Sequence, residues 1–338
     1  MTENPPLPAE VSTALNAWLG QGWTATRLTG DASVRVYYRV QAADGSTVML
    51  TWYPDEVKRD LQRVVAAYRA ASKHAYLPKV IECNDSAMLQ QDVGDQTLFD
   101  LLHRDREEGV RQYKKAITLL VYFQKAGAVD TNPPFTGDFF FNELEMSREF
   151  YVEKLMGVPP EASLELKPLL RKLADNISRH PYVLCHRDFH GQNLHVKEDT
   201  IYLIDYQDLR QGPDTYDLAS LLRDRGVARI LGDETELQLL AYYAEAANAA
   251  GDVRRRYFET LLQRSIKILG TFSKQPIVRG RMHYLDFIPP TLESIRRCLE
   301  ELPEHAALRD IFPLQFDLSA ARERARELNE KEVLSAGC

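Results

Sequence analysis

The sequence predicts an α+β protein of two lobes, a small antiparallel β-sheet lobe followed by a mainly helical one. Three observations carry this. Up to about residue 92 the apolar residues come in short strand-like runs separated by turn chemistry. Beyond Gly94 they recur at three- and four-residue intervals over long stretches. Between two such helical stretches lie short apolar runs flanking a loop dense in polar groups, Cys185 to Asn193. A first lobe over 1–92 and a second over 93–338 are therefore expected.

Taken in order, Trp23 to Leu28, Val34 to Gln41 and Thr47 to Tyr53 read as strands, with Ala43-Asp44-Gly45-Ser46 as the turn joining the last two. A helix follows from about Asp55 to Ser72. Pro78 to Ile81 and Ala87 to Gln90 complete the sheet. Helices are predicted over Gln96 to Arg104, Gly109 to Ala126, Asn142 to Leu155 and Leu164 to Arg179. Tyr182-Val183-Leu184-Cys185 has the length and composition of a buried strand. Leu194 to Val196 and Ile201 to Ile204 form a hairpin about the polar turn Lys197-Glu198-Asp199-Thr200. Helices resume at Ala219 to Leu222, Thr235 to Ala250, Val253 to Phe272, Thr291 to Leu302 and Leu318 to Leu334, the last rich in Ala, Arg and Glu and expected at the surface.

Composition excludes several function classes. At 338 residues the chain can bury a substantial core. A formal net charge of -7 argues against a general nucleic-acid binder, and Arg254-Arg255-Arg256 is expected as a solvated helix face. The cysteines Cys83, Cys185, Cys298 and Cys338 lie far apart with no Cys-x-x-Cys pair. Neither a zinc site nor a disulfide framework is expected, which suits a reducing cytoplasm. No apolar run approaches the roughly 20 residues of a membrane span, and Met1-Thr2-Glu3-Asn4-Pro5-Pro6 lacks a charged-then-apolar signal. A cytoplasmic protein with no nucleic-acid, membrane or obligate protein partner is expected.

The chemistry concentrates in Cys185-His186-Arg187-Asp188-Phe189-His190-Gly191-Gln192-Asn193 and in Ile204-Asp205. An Asp followed five residues later by an Asn, with a second Asp at the end of the next apolar strand, is the spacing of a phosphoryl-transfer site. The first Asp accepts the proton of a substrate hydroxyl, and the Asn and second Asp hold magnesium, a hard cation that prefers oxygen ligands. The hairpin brings Asn193 and Asp205 to one end, beside Asp188. His186 is expected to orient the loop by hydrogen bonds.

With these residues the sequence resembles the aminoglycoside phosphotransferase and choline kinase group, which shares the protein-kinase-like fold. Gly30-Asp31-Ala32-Ser33 with Tyr37-Tyr38-Arg39, Gln207-Asp208 to Gly212-Pro213, Thr215-Tyr216-Asp217-Leu218, Leu221-Leu222-Arg223-Asp224 and Gln263 to Phe272 make it similar, within that group, to bacterial anomeric kinases of N-acetylmuramate and N-acetylglucosamine. The resemblance implies an ATP- and Mg2+-dependent kinase of a small-molecule sugar in cell-wall sugar recycling. Kinases of other small alcohols, such as aminoglycosides, choline or homoserine, and a non-catalytic nucleotide-binding module remain as alternatives. A protein kinase is disfavoured, since Tyr206-Gln207-Asp208 stands where an Asp-Phe-Gly segment would continue.

The resemblance makes Asp188 the catalytic base and Asn193 and Asp205 the metal ligands. It places nucleotide contacts at Gly30, Asp31, Ala32 and Ser33 over the phosphates, at Arg35, and at the crossover residues Gln90, Gln91 and Val93. Acceptor contacts fall on Glu143, Glu149, His190, Asp224 and Arg264. One departure stands out. The third strand, Thr47 to Tyr53, lacks the Lys that contacts the α- and β-phosphates in the wider fold. Arg35, Arg39 and Lys58 are the candidates to supply that charge.

Overall fold

The computed structural model of the protein describes residues 7–28, 34–127, 132–224 and 226–336. They fall into two compact units. One comprises Met1–Asn132 with His186–Leu209, the other Pro133–Cys185 with Arg210–Cys338. This grouping differs from a single division at residue 92, because the segments 93–132 and 186–209 pack with the sheet rather than with the later helices.

In the first unit β1 (Thr24–Leu28), β2 (Val36–Gln41), β3 (Thr47–Trp52), β4 (Val80–Cys83) and β5 (Ala87–Gln91) form one antiparallel sheet in the order β1-β2-β3-β5-β4. Its register aligns Tyr38 with Leu50 and Leu50 with Leu89, so an apolar row crosses three strands on one face. That row packs with Val11 and Leu15 of a helix the sequence reading did not assign, α1 (Ala9–Leu19), and Trp52 Nε1 donates to Glu10 Oε1 at 2.7 Å. The helix α2 (Lys58–Ala71) buries Leu61, Val64, Ala67 and Ala71 along one stripe, the period expected of a half-buried helix. After the crossover come α3 (Leu98–Arg104), capped by Thr97 accepting from Asp100 N, and α4 (Arg106–Gln124), capped by Asp105 accepting from Glu108 N.

The second unit is largely helical: α5 (Gly137–Ser147), a π-helical segment Arg148–Leu155, α6 (Pro160–Ser163) and α7 (Leu166–Ile177). The strand β6 (Tyr182–Cys185) pairs antiparallel with a later strand, β9 (Arg210–Pro213), to which the sequence reading assigned no element. Gly212 is required there, since a Cβ would lie 2.4 Å from Phe135 Cδ2 and 3.1 Å from Cys185 Sγ. Then follow α8 (Tyr216–Arg223), α9 (Val227–Ala246) bent at Gly232, α10 (Val253–Arg279), α11 (Ile288–Glu301), α12 (Ala306–Ile311) and α13 (Leu318–Ala336). The 27-residue α10 is buried through most of its length and packs against α5, α7, α8, α11 and α13. It meets α5 closely: a Cβ on Gly270 would fall 2.6 Å from Ser147 Oγ, which donates to Ile266 O at 2.6 Å.

Of the arginine triplet, Arg254 and Arg255 are exposed, as expected of a solvated helix face, and Arg256 is not. Arg254 pairs with Glu301, Arg255 with Glu304 and Glu259, and Arg256, 12% exposed, clamps Asp214 through two nitrogens. Among the described residues no helix is long and apolar enough to cross a membrane.

Glu259 of α10 is the main polar pin of the helical unit. Its carboxylate accepts from Asn176 at 3.0 Å and meets His180 Nε2 at 2.8 Å and His305 Nε2 at 3.3 Å. Burial alone would raise its pKa, but these hydrogen bonds outweigh burial and hold the carboxyl far below the usual carboxylate range. The stability it contributes is present above the ordinary value of 4.5 and is lost as acidification carries the pH toward the lowered folded value. Glu259→Gln should cost about 1.5–3 kcal/mol at neutral pH. The difference in melting temperature from the unmodified protein should shrink below about pH 4.5, as a thermal melt series against pH will read.

Candidate active site

The polar loop and hairpin belong wholly to the first unit. The strands β7 (Leu194–Lys197) and β8 (Thr200–Leu203) pair as Leu194 with Leu203 and Val196 with Ile201, closed by a turn in which Glu198 and Asp199 have φ of 50° and 62°. Two successive left-handed residues match the twist of a two-residue hairpin. Asp199 is fixed by Lys115 and Gln112 of α4. The hairpin is tied to the crossover at three points: His195 Nδ1 to Gly94 O at 2.7 Å, Lys197 Nζ to Asp92 O at 2.8 Å, and Val196 N to Gln96 O at 2.8 Å, the last within an isolated bridge between Thr97 and His195.

This frame sets the reactive residues. Ile204 N donates to Asn193 O at 3.0 Å, so the residues at the two ends of the hairpin are held side by side. His186, fully buried, places Nε2 3.0 Å from Ile204 O, the orienting role expected for it. Asn193 Nδ2 donates to Asp188 O at 2.9 Å and approaches His190 Nε2 at 3.4 Å. Asp188 itself is exposed. Arg187 has φ 79° and Asp205 φ 62°, both in the left-handed region, which costs a non-glycine residue about 1–2 kcal/mol. Strain of this kind, held by the surrounding hydrogen bonds, clusters at functional loops. Gly191 lies against α3, where a Cβ would meet Phe99 N at 3.0 Å and Cα at 3.1 Å.

The three candidate cations separate clearly. Arg39 is clamped between Asp92 and Asp95 at 2.7–2.8 Å, and Lys58 pairs with the exposed Asp55. Arg35 alone reaches the motif: Nη2 lies 3.2 Å from Asp205 Oδ1 and Nη1 lies 3.4 Å from Gln207 Oε1. Burial works against the Arg35 charge, Tyr37 and Asp205 favour it, and the balance lies above the ordinary guanidinium value. Gln207 Nε2 also donates to Asp205 Oδ1, at 2.9 Å. That oxygen therefore carries two donors.

The remaining atoms are of the chemical kind a divalent metal takes. Asn193 spends its Nδ2 on Asp188 O, which orients its amide oxygen away from that contact, and Asp205 keeps Oδ2 beside an Oδ1 already neutralised by Arg35. Two hard oxygens of modest net charge leave coordination positions for water and phosphate, as magnesium prefers.

At the crossover the side chains of Gln90 and Gln91 are turned to Tyr206 and Tyr202, at 2.8 and 3.3 Å, and Gln91 N donates to Lys79 O. Val93 is buried, flanked by Asp92 and Gly94 whose carbonyls Lys197 and His195 engage. Gly30, Asp31, Ala32 and Ser33 lie outside the described residues.

The remaining acceptor candidates belong to the second unit and are dispersed. Glu143, 14% exposed, contacts Gln263 and Lys267 of α10. Glu149 sits in the π-helical segment, half exposed and paired with Lys154. The wider π turn rotates Glu149 off the α5 face, so one continuous α-helix over 142–155 was not the right expectation. Glu145 and Arg148 are not simply solvated but paired at 2.9 Å. Arg264 donates to Ser220 Oγ at 2.9 Å and stacks over the Tyr216 ring, and Asp224 ends α8. Lys267 and Asn132, which donates to Gln207 O and Leu209 O, went unsingled in the sequence because only long-range packing places them.

Two substitutions check this geometry. Gly191→Ala should cost about 1–3 kcal/mol of stability, since the new methyl meets backbone on α3, and should lower turnover beyond that loss, read by melting and steady-state rates together. Arg35→Ala should raise the nucleotide KM on the order of tenfold; an unchanged KM dismisses Arg35 as a nucleotide-site cation.

Residues 24–258 match the model of the phosphotransferase enzyme family. The N-acetylmuramate/N-acetylglucosamine kinase of Pseudomonas aeruginosa is 26% identical over 327 residues, covering 88% of this chain and 95% of that protein. Its Pseudomonas putida counterpart is 28% identical, covering 88% and 90%. Among solved structures, a choline/ethanolamine kinase family protein from Mesorhizobium loti is similar with a TM-score of 0.59 at 15% identity, covering 93% of this chain and 98% of that one. The gentamicin complex of APH(2")-IIa is similar with a TM-score of 0.56 at 16% identity, covering 94% and 99%. These likenesses are of fold, the protein-kinase-like α+β class with a small antiparallel sheet and a mainly helical part. The chain belongs to the phosphotransferase enzyme family.

Proposed function

We propose that the protein is an ATP- and magnesium-dependent sugar kinase that transfers the γ-phosphoryl group to the anomeric hydroxyl of N-acetylmuramate, N-acetylglucosamine or a closely related sugar. The observation that carries the chemistry is one loop and hairpin on which Asn193 Nδ2 donates to Asp188 O and Asn193 O accepts from the N–H of Ile204, the residue before Asp205. The choice of sugar is supported by relatives of that name aligned over most of the chain.

Asp188 accepts the proton of the attacking hydroxyl, an exposed carboxylate whose backbone is fixed by Asn193. The amide oxygen of Asn193 and Oδ2 of Asp205 hold magnesium, which when bound neutralises phosphate charge. Arg35 sets the net charge beside Asp205, and Val93 offers backbone to the adenine. Gly30 to Ser33 cover the phosphates. Glu143, Glu149, His190, Asp224 and Arg264 contribute to acceptor recognition, with 93–338 supplying most of that surface. Positioning and charge neutralisation supply most of the rate in such a transfer.

ATP consumption with a panel of N-acetylmuramate, N-acetylglucosamine, neutral hexoses, an aminoglycoside and choline, followed by phosphorus NMR of the product, identifies acceptor and position together. An anomeric phosphate on an N-acetyl sugar is the expected product; turnover of choline or the aminoglycoside alone refutes the sugar. Asp188→Asn should lose about 10²–10⁴-fold in kcat while binding ATP normally by titration calorimetry, and wild-type turnover in that variant removes Asp188 from the chemistry.

A further inference from the structure

Where α5 packs on α10, Glu143, Gln263 and Lys267 form a polar cluster within the second unit. Gln263 is fully buried and donates Nε2 to Glu143 Oε2 at 2.9 Å. Its Oε1 is buried with no hydrogen-bond partner. An acceptor left dry is costly, and interiors keep few of them. Lys267 Nζ, on a side chain 26% exposed, stands 3.5 Å from Glu143 Oε1, longer than the about 2.7–2.9 Å of a well-formed ionic hydrogen bond. The cluster does not collapse onto itself, because the Ser147–Gly270 contact one turn further along fixes the helix separation. The neighbouring cations are committed elsewhere, Arg148 to Glu145 and Glu153 and Lys154 to Glu149. Lys267 is the loosely held charge.

We propose that this cluster is an acceptor subsite in which Lys267 binds a carboxylate and Gln263 Oε1 accepts an amide N–H, with Glu143 turning from Lys267 to sugar hydroxyls. The inference rests on the sugar-kinase proposal above. N-acetylmuramate and N-acetylglucosamine share an acetamido N–H and differ by a lactyl ether carboxylate. A cation that a carboxylate can draw off a long ion pair, beside an acceptor that lacks a donor, suits both features. Lys267 is thus the residue that sets preference between the two sugars.

The test compares kcat/KM for the two sugars in the unmodified protein, Lys267→Met and Lys267→Arg, with melting curves to establish folding. Lys267→Met should lower kcat/KM for N-acetylmuramate about tenfold more than for N-acetylglucosamine, and Lys267→Arg should restore most of the selectivity. Gln263→Met, close in volume, should reduce the preference for N-acetylglucosamine over glucose. If both sugars are turned over and neither ratio moves by more than about twofold, the subsite is overturned while the sugar-kinase reading stands. If the unmodified protein phosphorylates neither sugar, that reading falls and the subsite with it. A Lys267→Met protein that fails to fold leaves the decision to Gln263→Met: an unchanged preference for N-acetylglucosamine over glucose in that variant overturns the proposal.

Discussion

The main chain of Ile204 organises the reactive loop. Its N–H is given to Asn193 O and its carbonyl receives His186 Nε2, so one residue joins the start of the loop, its end and the strand that leads to Asp205. A buried hydrogen bond is worth little net but much to lose, which makes such a node a constraint on position more than a source of stability. Asn193 is then close enough to brace Asp188, and Asp205 is forced into its left-handed turn beside Asn193.

Charge is arranged around that node with economy. The β3 strand carries no lysine, and the cation beside the Asp205 carboxylate is Arg35, just before β2. A guanidinium can hold Asp205 and Gln207 at once through separate nitrogens, which a lysine ammonium does with less directional control. The clamp of Arg39 between Asp92 and Asp95 plays a different part: it stiffens the crossover to which the hairpin is sewn by Lys197 and His195. Positioning of this kind is what an in-line phosphoryl transfer asks of its protein.

Short-range pattern accounts for what could be read before the structure. The strands of the sheet follow from alternation, and the loop from the spacing of Asp188, Asn193 and Asp205, because a hairpin of fixed length converts spacing in sequence into proximity in space. The helix α1 was missed because it buries only Val11, Ala14 and Leu15, too few to show a period. The π-helical turn at Arg148 was missed because an extra residue per turn leaves the apolar count unchanged while rotating the polar side chains. Arg256 was read as solvated with its exposed neighbours Arg254 and Arg255 because its partner, Asp214, is distant in sequence.

By itself the sequence determined the α+β class, the spacing of Asp188, Asn193 and Asp205 and the absence of a third-strand lysine, since each is written in residue identity and local spacing. Only the tertiary structure decided which cation stands beside Asp205, how Gln90 and Gln91 are spent, and that Gln263 is buried with an unmet acceptor beside Lys267. Those outcomes depend on pairings between residues tens to hundreds of positions apart, which packing selects and local propensity does not encode.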